Sequence, residues 1–467
     1  QTADLERGRL ARRRAGPRVA GRGGRAAAPR GGGAARAAGG APLAAGGVAL
    51  ALVLTACSGG GDDVAGEPST PSEPVELRMT VWTADETQLA QFQEIADAYV
   101  AENPDLVSGV TFETIPFEDY TTSLTTQLAG GNAPDLAWIL ESYAPEFVAS
   151  GALVDVGPKL QETEGYAYDD LLDSSLALWE KDGGLYAYPF SNSPFALFVN
   201  TDQVAAAGQP NPADLVASGD WTYDQVREIA AAAAATSGKQ GLVVRDFDYK
   251  VWENLSTIWD GWDATPWSED GTQCTFTDPE MVDALTWIHD ATFVDKALPG
   301  PGTTADFFAG DSAMTITQIS RASSLDDSFG WDVVPLPAGP AGQQNVIGQA
   351  GIGVFAAGEH PDVAADFLAW FTNPENAETL AAYFPPPRES LLTAETLGAA
   401  NPKLSEEQLQ AVVVDGIQGA VTKPSHQNFA KLQDTVRAQL DALWTADADV
   451  EGVLADTCAA IQPLLGD

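Results

Sequence analysis

The feature that most constrains the fold of this chain is a regular alternation, from Val75 onward, of short apolar runs with amphipathic stretches. The runs have the length of strands, and the stretches repeat apolar residues every three or four positions, as helices do. The predicted strands are 77–82, 110–115 and 135–140, and the helices between them are 87–103 and 120–129. This order requires a parallel sheet with right-handed crossovers. We therefore expect an α/β fold, not a β-sandwich.

The alternation continues through the rest of the chain. Thr222 and Gln225 have the spacing of a capping box, and Asp278-Pro279 is typical of a second helix start. Further helices are predicted at 361–371 and 428–444. The sequence contains no repeat of about 20–50 residues, which argues against a solenoid.

The first 56 residues differ in composition from the rest. They contain ten Arg and two acidic residues, and 1–40 hold almost no large apolar side chain that could form a core. An apolar run over 41–56 then ends at Cys57. It has the length of a signal peptide and is shorter than the ~20 residues that span a bilayer. We interpret 1–56 as a signal peptide with an N-terminal extension; an uncleaved short anchor is the alternative.

The residues around Cys57 suggest how the chain is attached to a membrane. Leu54-Thr-Ala-Cys57 resembles the bacterial lipobox, in which the cysteine becomes the lipidated first residue of the mature protein. Residues 57–74 are rich in Gly, Ser, Pro and acids, the composition of a flexible, solvated linker. The resemblance implies a lipid anchor on Cys57 and a mature protein on the extracytoplasmic face of the cell membrane.

The net charge excludes one class of partner. The chain has 66 acidic and 24 basic residues, a formal net charge of −42. A nucleic-acid-binding surface needs basic residues against the phosphates, so we expect no nucleic-acid partner. The acidity also favours neutral, hydroxyl-rich ligands over polyanions. Basic residues that could hold an anion reduce to Arg245, Lys250, Arg321 and Arg388.

The cysteine and histidine content limits the chemistry. Three His without HExxH spacing argue against a zinc hydrolase, and we expect no metal and no cofactor. With Cys57 assigned to lipid, Cys274 and Cys458 are an even pair in an oxidising compartment. A disulfide between them and two buried free thiols both fit the sequence.

A series of short motifs extends over residues 75–463. They are Asn132-Ala-Pro-Asp135, Gly151-Ala-Leu-Val-Asp155, Gly184-Leu-Tyr-Ala-Tyr-Pro189, the strand 196–202, Trp221-Thr-Tyr-Asp-Gln225, Phe307-Phe-Ala-Gly310-Asp-Ser-Ala-Met314, 331–337, 351–354 and Pro387-Arg388. In this order, and behind a lipobox, they make the chain similar to the extracellular solute-binding proteins of bacterial ABC importers. The resemblance is to their carbohydrate-binding group, which includes the maltose-binding proteins.

The resemblance implies a two-lobed periplasmic-binding-protein fold, type II-like, in which the lobes close by a hinge motion over a ligand in the cleft. The expected lobes are 75–190 with 337–373 and 191–336 with 374–467. The expected crossings between them lie near 189–194, 334–337 and 372–376. The implied function is capture of a sugar or oligosaccharide by a monomeric protein that performs no chemistry and delivers the ligand to an ABC permease.

A sugar presents apolar C–H faces and hydroxyl groups, so its site needs flat aromatic rings and carboxylate or amide side chains. Such residues follow the first and third predicted strands, at the edge where parallel sheets bind ligands. These candidates are Trp82, Asp85, Glu86, Glu141 and Tyr143. Helix capping is the alternative role of Asp85 and Glu86, and interlobe packing is that of Trp82.

The expected second lobe supplies an aromatic cluster between residues 249 and 263. Its ligand candidates are Trp252, Trp259 and Trp262. The first two are seven residues apart and share one face if the segment is a helix, so a core stripe is the alternative. Three polar candidates come from the interlobe connections: Asn192, Gln318 and Arg388. For Arg388 a surface salt bridge is the alternative to a ligand clamp.

Two other functions stay open at the level of sequence. A secreted carbohydrate-active enzyme, a glycosidase or a lyase, would use paired carboxylates, which so acidic a chain always offers. A binding protein for a peptide, polyol or anion is the other. The chain has no GxSxG motif, and no GxGxxG-like glycines lie between a strand and a helix.

Overall fold

The computed structural model of the chain describes residues 73–245, 251–300, 302–303, 305–400 and 402–466. The predicted signal peptide at 1–56, most of the 57–74 linker, Cys57 and Lys250 lie outside the described residues. No helix in the part that the structure describes is long and apolar enough to cross a membrane.

A mixed sheet of nine strands organises the described chain. The strands are β1 (Val75–Val81), β2 (Val107–Thr114), β3 (Leu136–Leu140), β4 (Ala187–Asn200), β5 (Gln240–Val244), β6 (Ser312–Gln318), β7 (Trp331–Val334), β8 (Val346–Val354) and β9 (Val421–Thr422). Their order is β2-β1-β3-β8-β4-β6-β5, with β9 beside β8 and β7 beside β4. β1 is parallel to β2 and to β3, which confirms the predicted parallel start, whereas β8 is antiparallel to β3 and β4. Two short hairpins, 180–185 and 338–343, lie apart from this sheet.

Helices alternate with these strands along the chain. The α-helices are Glu86–Glu102, Tyr120–Ala129, Ala144–Ser150, Gly157–Glu162, Asp173–Leu176, Thr201–Ala206, Pro212–Ser218, Tyr223–Ser237, Ser256–Trp259, Pro279–Phe293, Pro361–Phe371, Pro374–Leu380, Ala394–Ala400, Glu406–Leu409, Asp415–Ile417, Phe429–Leu440 and Val450–Leu465. The helices predicted at 120–129 and 361–371 have these same bounds in the structure.

Local signals in the sequence set several helix starts. The Asp85 carboxylate accepts hydrogen bonds from the first backbone N–H groups of Glu86–Glu102, and the Thr222 hydroxyl does the same for Tyr223–Ser237. Pro279 opens its helix at a position whose missing N–H has no partner in any helix. The buried residues of these helices recur every three or four positions, and each large apolar side chain so buried stabilises the fold by about 1.5–3 kcal/mol.

Strand β4 joins the two halves of the sheet. All fourteen of its residues are buried, which explains its long apolar and small polar run. Its first part, up to Pro194, pairs with β8. From Phe195 onward it pairs with β6 and β7 instead. One continuous strand therefore runs from one half of the protein into the other.

Three apolar cores pack on the sheet. The first contains buried residues of 75–190 and 350–380, the second of 195–346 and 429–465, and the third of 196–347 and 381–417. Phe190 belongs to the first core and Phe195 to the second, so the first crossing lies inside β4.

The crossings near 334–337 and 372–376 stay predictions, and core membership changes in the same part of the chain. The chain returns to the first core within β8, between Ile347 and Ala350. Before this point, the 338–343 hairpin contacts the second half of the protein, where the Ala341 N–H donates to the Gly261 carbonyl (2.9 Å). Further along, Leu380 packs in the first core and Ala381 in the third, while Phe384 again packs against the first core.

A disulfide joins Cys274 to Cys458, with the two Cα atoms 5.4 Å apart. It ties the segment before helix Pro279–Phe293 to the last helix, Val450–Leu465. The Gln462 side chain reinforces the connection, since it accepts from the Cys274 N–H (3.0 Å) and donates to the Thr272 carbonyl (2.8 Å). Of the two alternatives that the sequence leaves open, the structure has the disulfide.

We predict that the double substitution Cys274→Ser and Cys458→Ser lowers the free energy of unfolding by about 2–4 kcal/mol, because the bridge restricts the unfolded chain. Denaturant unfolding of the mature chain measures this. Reductant should destabilise the unsubstituted protein to a similar extent and leave the variant unchanged. Equal stability of both proteins, with and without reductant, would mean that the bridge does not form.

Candidate functional site

A cavity of about 220 Å³ lies where strand ends from both halves of the sheet meet. β1 and β3 reach it from the side of the first core, and β6 reaches it from the other side. The middle of β4 and of β8 forms its floor. Its lining consists of Trp82, Phe117, Leu140, Glu141, Ser191, Ser193, Arg245, Val251, Asn254, Gln318, Ser320, Arg321, Gly348, Gln349, Ala350, Phe384 and Lys423. This is the sheet edge at which α/β proteins bind ligands.

Trp82 forms an aromatic wall of the cavity. It follows β1 directly and is partly exposed. Its ring meets those of Trp138 (4.7 Å between centroids) and Tyr120 (5.1 Å) edge to face. These contacts fix the orientation of the indole, so that it can offer an apolar surface to a ligand without reorganising.

Glu141 and Lys423 form a buried ion pair across the cavity. The Lys423 Nζ lies 3.1 Å from Glu141 Oε1 and donates to Asn254 Oδ1 at 3.3 Å. The Glu141 and Lys423 side chains are only 2% and 9% exposed. Glu141 follows β3 and Lys423 follows β9, so the pair connects the two halves of the protein. Each charge satisfies the other, and loss of one partner leaves a buried charge that costs about 3–5 kcal/mol.

Asn192 lies behind the cavity and holds Gln349, which lines it. The Gln349 amide donates to Asn192 Oδ1 (2.7 Å) and to the Ser175 carbonyl (3.1 Å). Its carbonyl oxygen accepts from Trp179 Nε1 (2.8 Å). Because these bonds occupy both ends of the Gln349 amide, the network acts as support for the floor. Asn192 itself is fully buried and does not line the cavity.

Gln318, unlike Asn192, lines the cavity and leaves part of its amide without a hydrogen-bond partner among the described residues. It lies at the end of β6, and its Oε1 is buried with no hydrogen-bond partner among the described residues. The amide lies directly over Gly348, where a Cβ would approach Gln318 Nε2 to 2.2 Å. Glycine at this position therefore leaves room for the amide. A buried acceptor without a partner costs free energy that a ligand hydroxyl would recover.

Among the remaining candidates near the first core, none lines the cavity. Asp85 is engaged as a helix cap, with both of its bonds at 2.9 Å, and Glu86 is exposed in the first turn of the same helix. These positions fit the capping alternative. The Tyr143 hydroxyl donates to Gln433 Oε1 (2.5 Å), and its ring packs on Phe429 (5.2 Å). Burial raises the pKa of Tyr143 well above its usual value, so the hydroxyl keeps the proton that it donates.

The tryptophan cluster of the second half is not at the cavity either. Residues 252–262 do not form one helix; they form three successive single turns, Trp252–Leu255, Ser256–Trp259 and Asp260–Trp262. Trp252 and Trp259 nevertheless pack together in the second core (6.0 Å), where both are essentially fully buried. Trp262 packs on Tyr223 and Trp287. The core alternative describes all three positions.

Arg388 is fully buried and lies neither at the surface nor at the cavity. Its guanidinium donates to the carbonyls of Ala167 (3.1 Å) and Thr372 (2.9 Å) and lies 3.7 Å from the Asp170 carboxylate. It also stacks over the Tyr166 ring. Planar, multidentate bonding of this kind joins three chain segments, so its role here is to hold the fold together.

Several lining residues were not among the sequence candidates. Ser191 and Ser193 flank Asn192 in β4, so the two-residue period of a strand places them on the face opposite to Asn192. That signal was available in the sequence. For Asn254 and Lys423 there was none, because their approach to Glu141 depends on tertiary packing alone. Within the described ranges, no group of three or more His, Cys, Asp or Glu side chains could hold a metal ion.

Comparison with known proteins identifies the family. The family described as bacterial extracellular solute-binding protein matches residues 94–406. A putative binding protein of Brucella abortus is 25% identical over 291 residues, which are 58% of this chain; the chain spans 66% of that relative's length. An uncharacterized lipoprotein of Streptomyces antibioticus is 24% identical over 349 residues, 71% of this chain and 72% of the relative.

A solved structure shows the same fold. It is an ABC substrate-binding protein of Listeria monocytogenes in complex with cycloalternan, with a TM-score of 0.73 and 23% identity, over 84% of this chain and 100% of that one. The predicted fold is thereby confirmed as the two-lobed α/β fold of maltose-binding-protein-like solute-binding proteins. With two thirds of its length matched by the family, the chain belongs to the bacterial extracellular solute-binding proteins.

Proposed function

We propose that this protein captures a saccharide outside the cytoplasmic membrane and delivers it, chemically unchanged, to the permease of an ABC importer. The proposal rests on one observation: a single cavity holds both the Trp82 ring and Gln318 Oε1, a buried acceptor that has no hydrogen-bond partner among the described residues. A sugar can place an apolar C–H face on the Trp82 ring and donate a hydroxyl hydrogen bond to Gln318 Oε1. The complex of the Listeria monocytogenes protein with cycloalternan supports a saccharide over other solutes.

The lining of the cavity favours binding over hydrolysis. A glycosidase needs two carboxyl groups about 5–10 Å apart, one on each side of the scissile bond. Among the described residues of the lining, Glu141 is the one carboxylate, and Lys423 already neutralises it. A buried, ion-paired carboxylate is a poor general acid. In the described part of the lining, Glu141 thus has no second carboxyl group with which to form the pair that a glycosidase needs.

We propose the lobes 75–190 with 337–373 and 191–336 with 374–467, hinged at the crossings. The apolar cores support a division of this kind, with the second segment of the first core at 350–380: the first core holds buried residues of 75–190 and 350–380, and the other two hold buried residues of 195–347 and 381–465. On opening, the contacts Glu141–Lys423 and Tyr143–Gln433 would separate, because each joins one lobe to the other. Ligand binding would hold the lobes closed by contacting both.

The proposal includes the site of action. A lipid on Cys57 would anchor a monomeric mature protein to the extracytoplasmic face of the cell membrane, with 57–74 as the linker. The description of the family as extracellular and the Streptomyces antibioticus lipoprotein relative support this placement.

We predict that an oligosaccharide bound in the cavity raises the thermal stability of the mature chain. At a ligand concentration 100 times the dissociation constant, the gain is about 2.7 kcal/mol, because only the folded state binds. Thermal melting against neutral mono- and oligosaccharides, peptides and polyols measures it. The saccharide should be recovered intact after prolonged incubation. Stabilisation by another solute class alone, or turnover of the saccharide, would contradict the proposal.

Trp82→Ala should weaken saccharide binding by about 10- to 100-fold, or about 1.4–2.7 kcal/mol, since it removes the aromatic platform. Trp331→Ala is the matched control, because Trp331 is also partly exposed but packs against the third core. Calorimetric titration should show unchanged affinity for the control. Similar losses in both variants would point to destabilisation rather than to a lost contact.

Gly348→Ala tests the role of Gln318. The new methyl group would displace the amide that lies over Gly348, so the affinity should fall at least about tenfold, or about 1.4 kcal/mol. Gly109→Ala in β2 is the control, since a Cβ there meets only the Glu76 side chain at 4.0 Å. If Gly348→Ala binds the saccharide as tightly as the Gly109→Ala control, Gln318 is not a ligand residue.

A further inference from the structure

A second, larger groove of about 580 Å³ lies against the first core. Four chain segments surround it: the end of helix Glu86–Glu102 with the loop that follows, the loop 163–166, one face of helix Pro361–Phe371, and residues 373–375. Its lining consists of Tyr99, Glu102, Asn103, Leu106, Thr163, Glu164, Gly165, Tyr166, Asp366, Ala369, Trp370, Asn373, Pro374 and Glu375. None of these residues lines the cavity described above, so the groove is a separate feature.

Two long helices direct their negative ends at this groove. Helices Glu86–Glu102 and Pro361–Phe371 both terminate there, and neither has a basic residue in its last turn. The carbonyl end of a helix carries about half a negative charge, which a nearby cation normally stabilises. Neither of these two helices therefore supplies a Lys, Arg or His side chain that would stabilise its own carbonyl end.

Carboxylates add to this negative potential. Glu102, Glu164, Asp366 and Glu375 line the groove, and no Lys or Arg is among its described lining residues. Asp366 is paired with Lys159. The other three make no ion pair within the described residues. Behind the groove, the guanidinium of Arg388 is already committed to Asp170 and to two carbonyls.

Tyr99 supplies an independent sign of a missing ligand. It lines the groove, yet its side chain is buried (4% exposed), and its hydroxyl has no hydrogen-bond partner among the described residues. Burial raises the pKa of the Tyr99 hydroxyl, and the negative charge of the Asp366 carboxylate raises it further. The neighbouring Trp370 ring (5.9 Å) is held in place by a bond from its Nε1 to the Ile95 carbonyl.

From this geometry we infer that the groove binds an organic polycation, a flexible chain that carries two or more alkylammonium groups. The ammonium groups would lie between the carboxylates and the helix ends, one would donate to the Tyr99 hydroxyl, and the methylene stem would cover the Trp370 ring. In the described part of the chain, no group of three or more His, Cys, Asp or Glu side chains could hold a metal ion, so the four carboxylates favour a ligand that carries several separate positive charges. Free polyamines and the lysine side chains of a polypeptide share this chemistry.

Titration of the full mature chain with spermidine at low ionic strength, followed by calorimetry, tests the inference. We expect saturable one-to-one binding. Glu102→Gln combined with Glu375→Gln should weaken it at least tenfold, and Tyr99→Phe should weaken it about threefold. The matched control is Glu94→Gln combined with Glu378→Gln. It removes one exposed charge from helix Glu86–Glu102 and one from helix Pro374–Leu380, the helices of Glu102 and Glu375, at positions outside the groove.

The control matters because a chain with a net charge of −42 attracts any cation. An affinity that falls equally in both double variants, or titration without saturation, would overturn the inference. A parallel titration with N-acetylated tetralysine distinguishes the two sources: tighter binding of spermidine supports a free polyamine, and tighter binding of tetralysine supports a polypeptide. Failure of both ligands would overturn the inference without affecting the saccharide proposal, since the two sites share no residue.

Discussion

The rest of the structure depends on the fourteen buried residues of β4. This strand pairs with β8 in the first half of the protein and with β6 and β7 in the second, so it fixes how the strand ends of the two halves face each other. The cavity lies beside the point where the pairing changes. Because no residue of β4 reaches solvent freely, its polar members, among them Ser191 and Ser193, are directed at the cavity or at internal partners.

The polar groups around the cavity divide into those that the fold already uses and those that it leaves open. Gln349 is held at both ends of its amide, and Glu141 and Lys423 neutralise each other. Trp82 is oriented by its aromatic neighbours but keeps a free surface, and Gln318 has a buried acceptor without a partner among the described residues. Within each half, the side chains that would meet a ligand are therefore already oriented, so that binding leaves the closure of the two halves as the main rearrangement.

Much of the fold could be predicted from sequence periodicity and capping signals, because the parallel start and the long helices depend on local patterns. The site could be predicted only in part. Trp82 and Glu141 were predicted because they follow predicted strands, and Gln318 because it lies in an expected interlobe connection. Lys423 was missed, since it approaches Glu141 only through tertiary packing. The same limit applies to Arg388. Its position after three prolines made it a candidate ligand residue, but the structure buries it completely, and this burial could not be predicted from the sequence.

The central claim is that a saccharide binds between the two halves of the protein at the strand ends. A crystal structure of the mature chain with a stabilising oligosaccharide tests it most directly. We expect a sugar ring stacked on Trp82, a hydroxyl that donates to Gln318 Oε1, and contacts from both lobes. A saccharide bound elsewhere, or one that leaves Trp82 and Gln318 without contact, would contradict it.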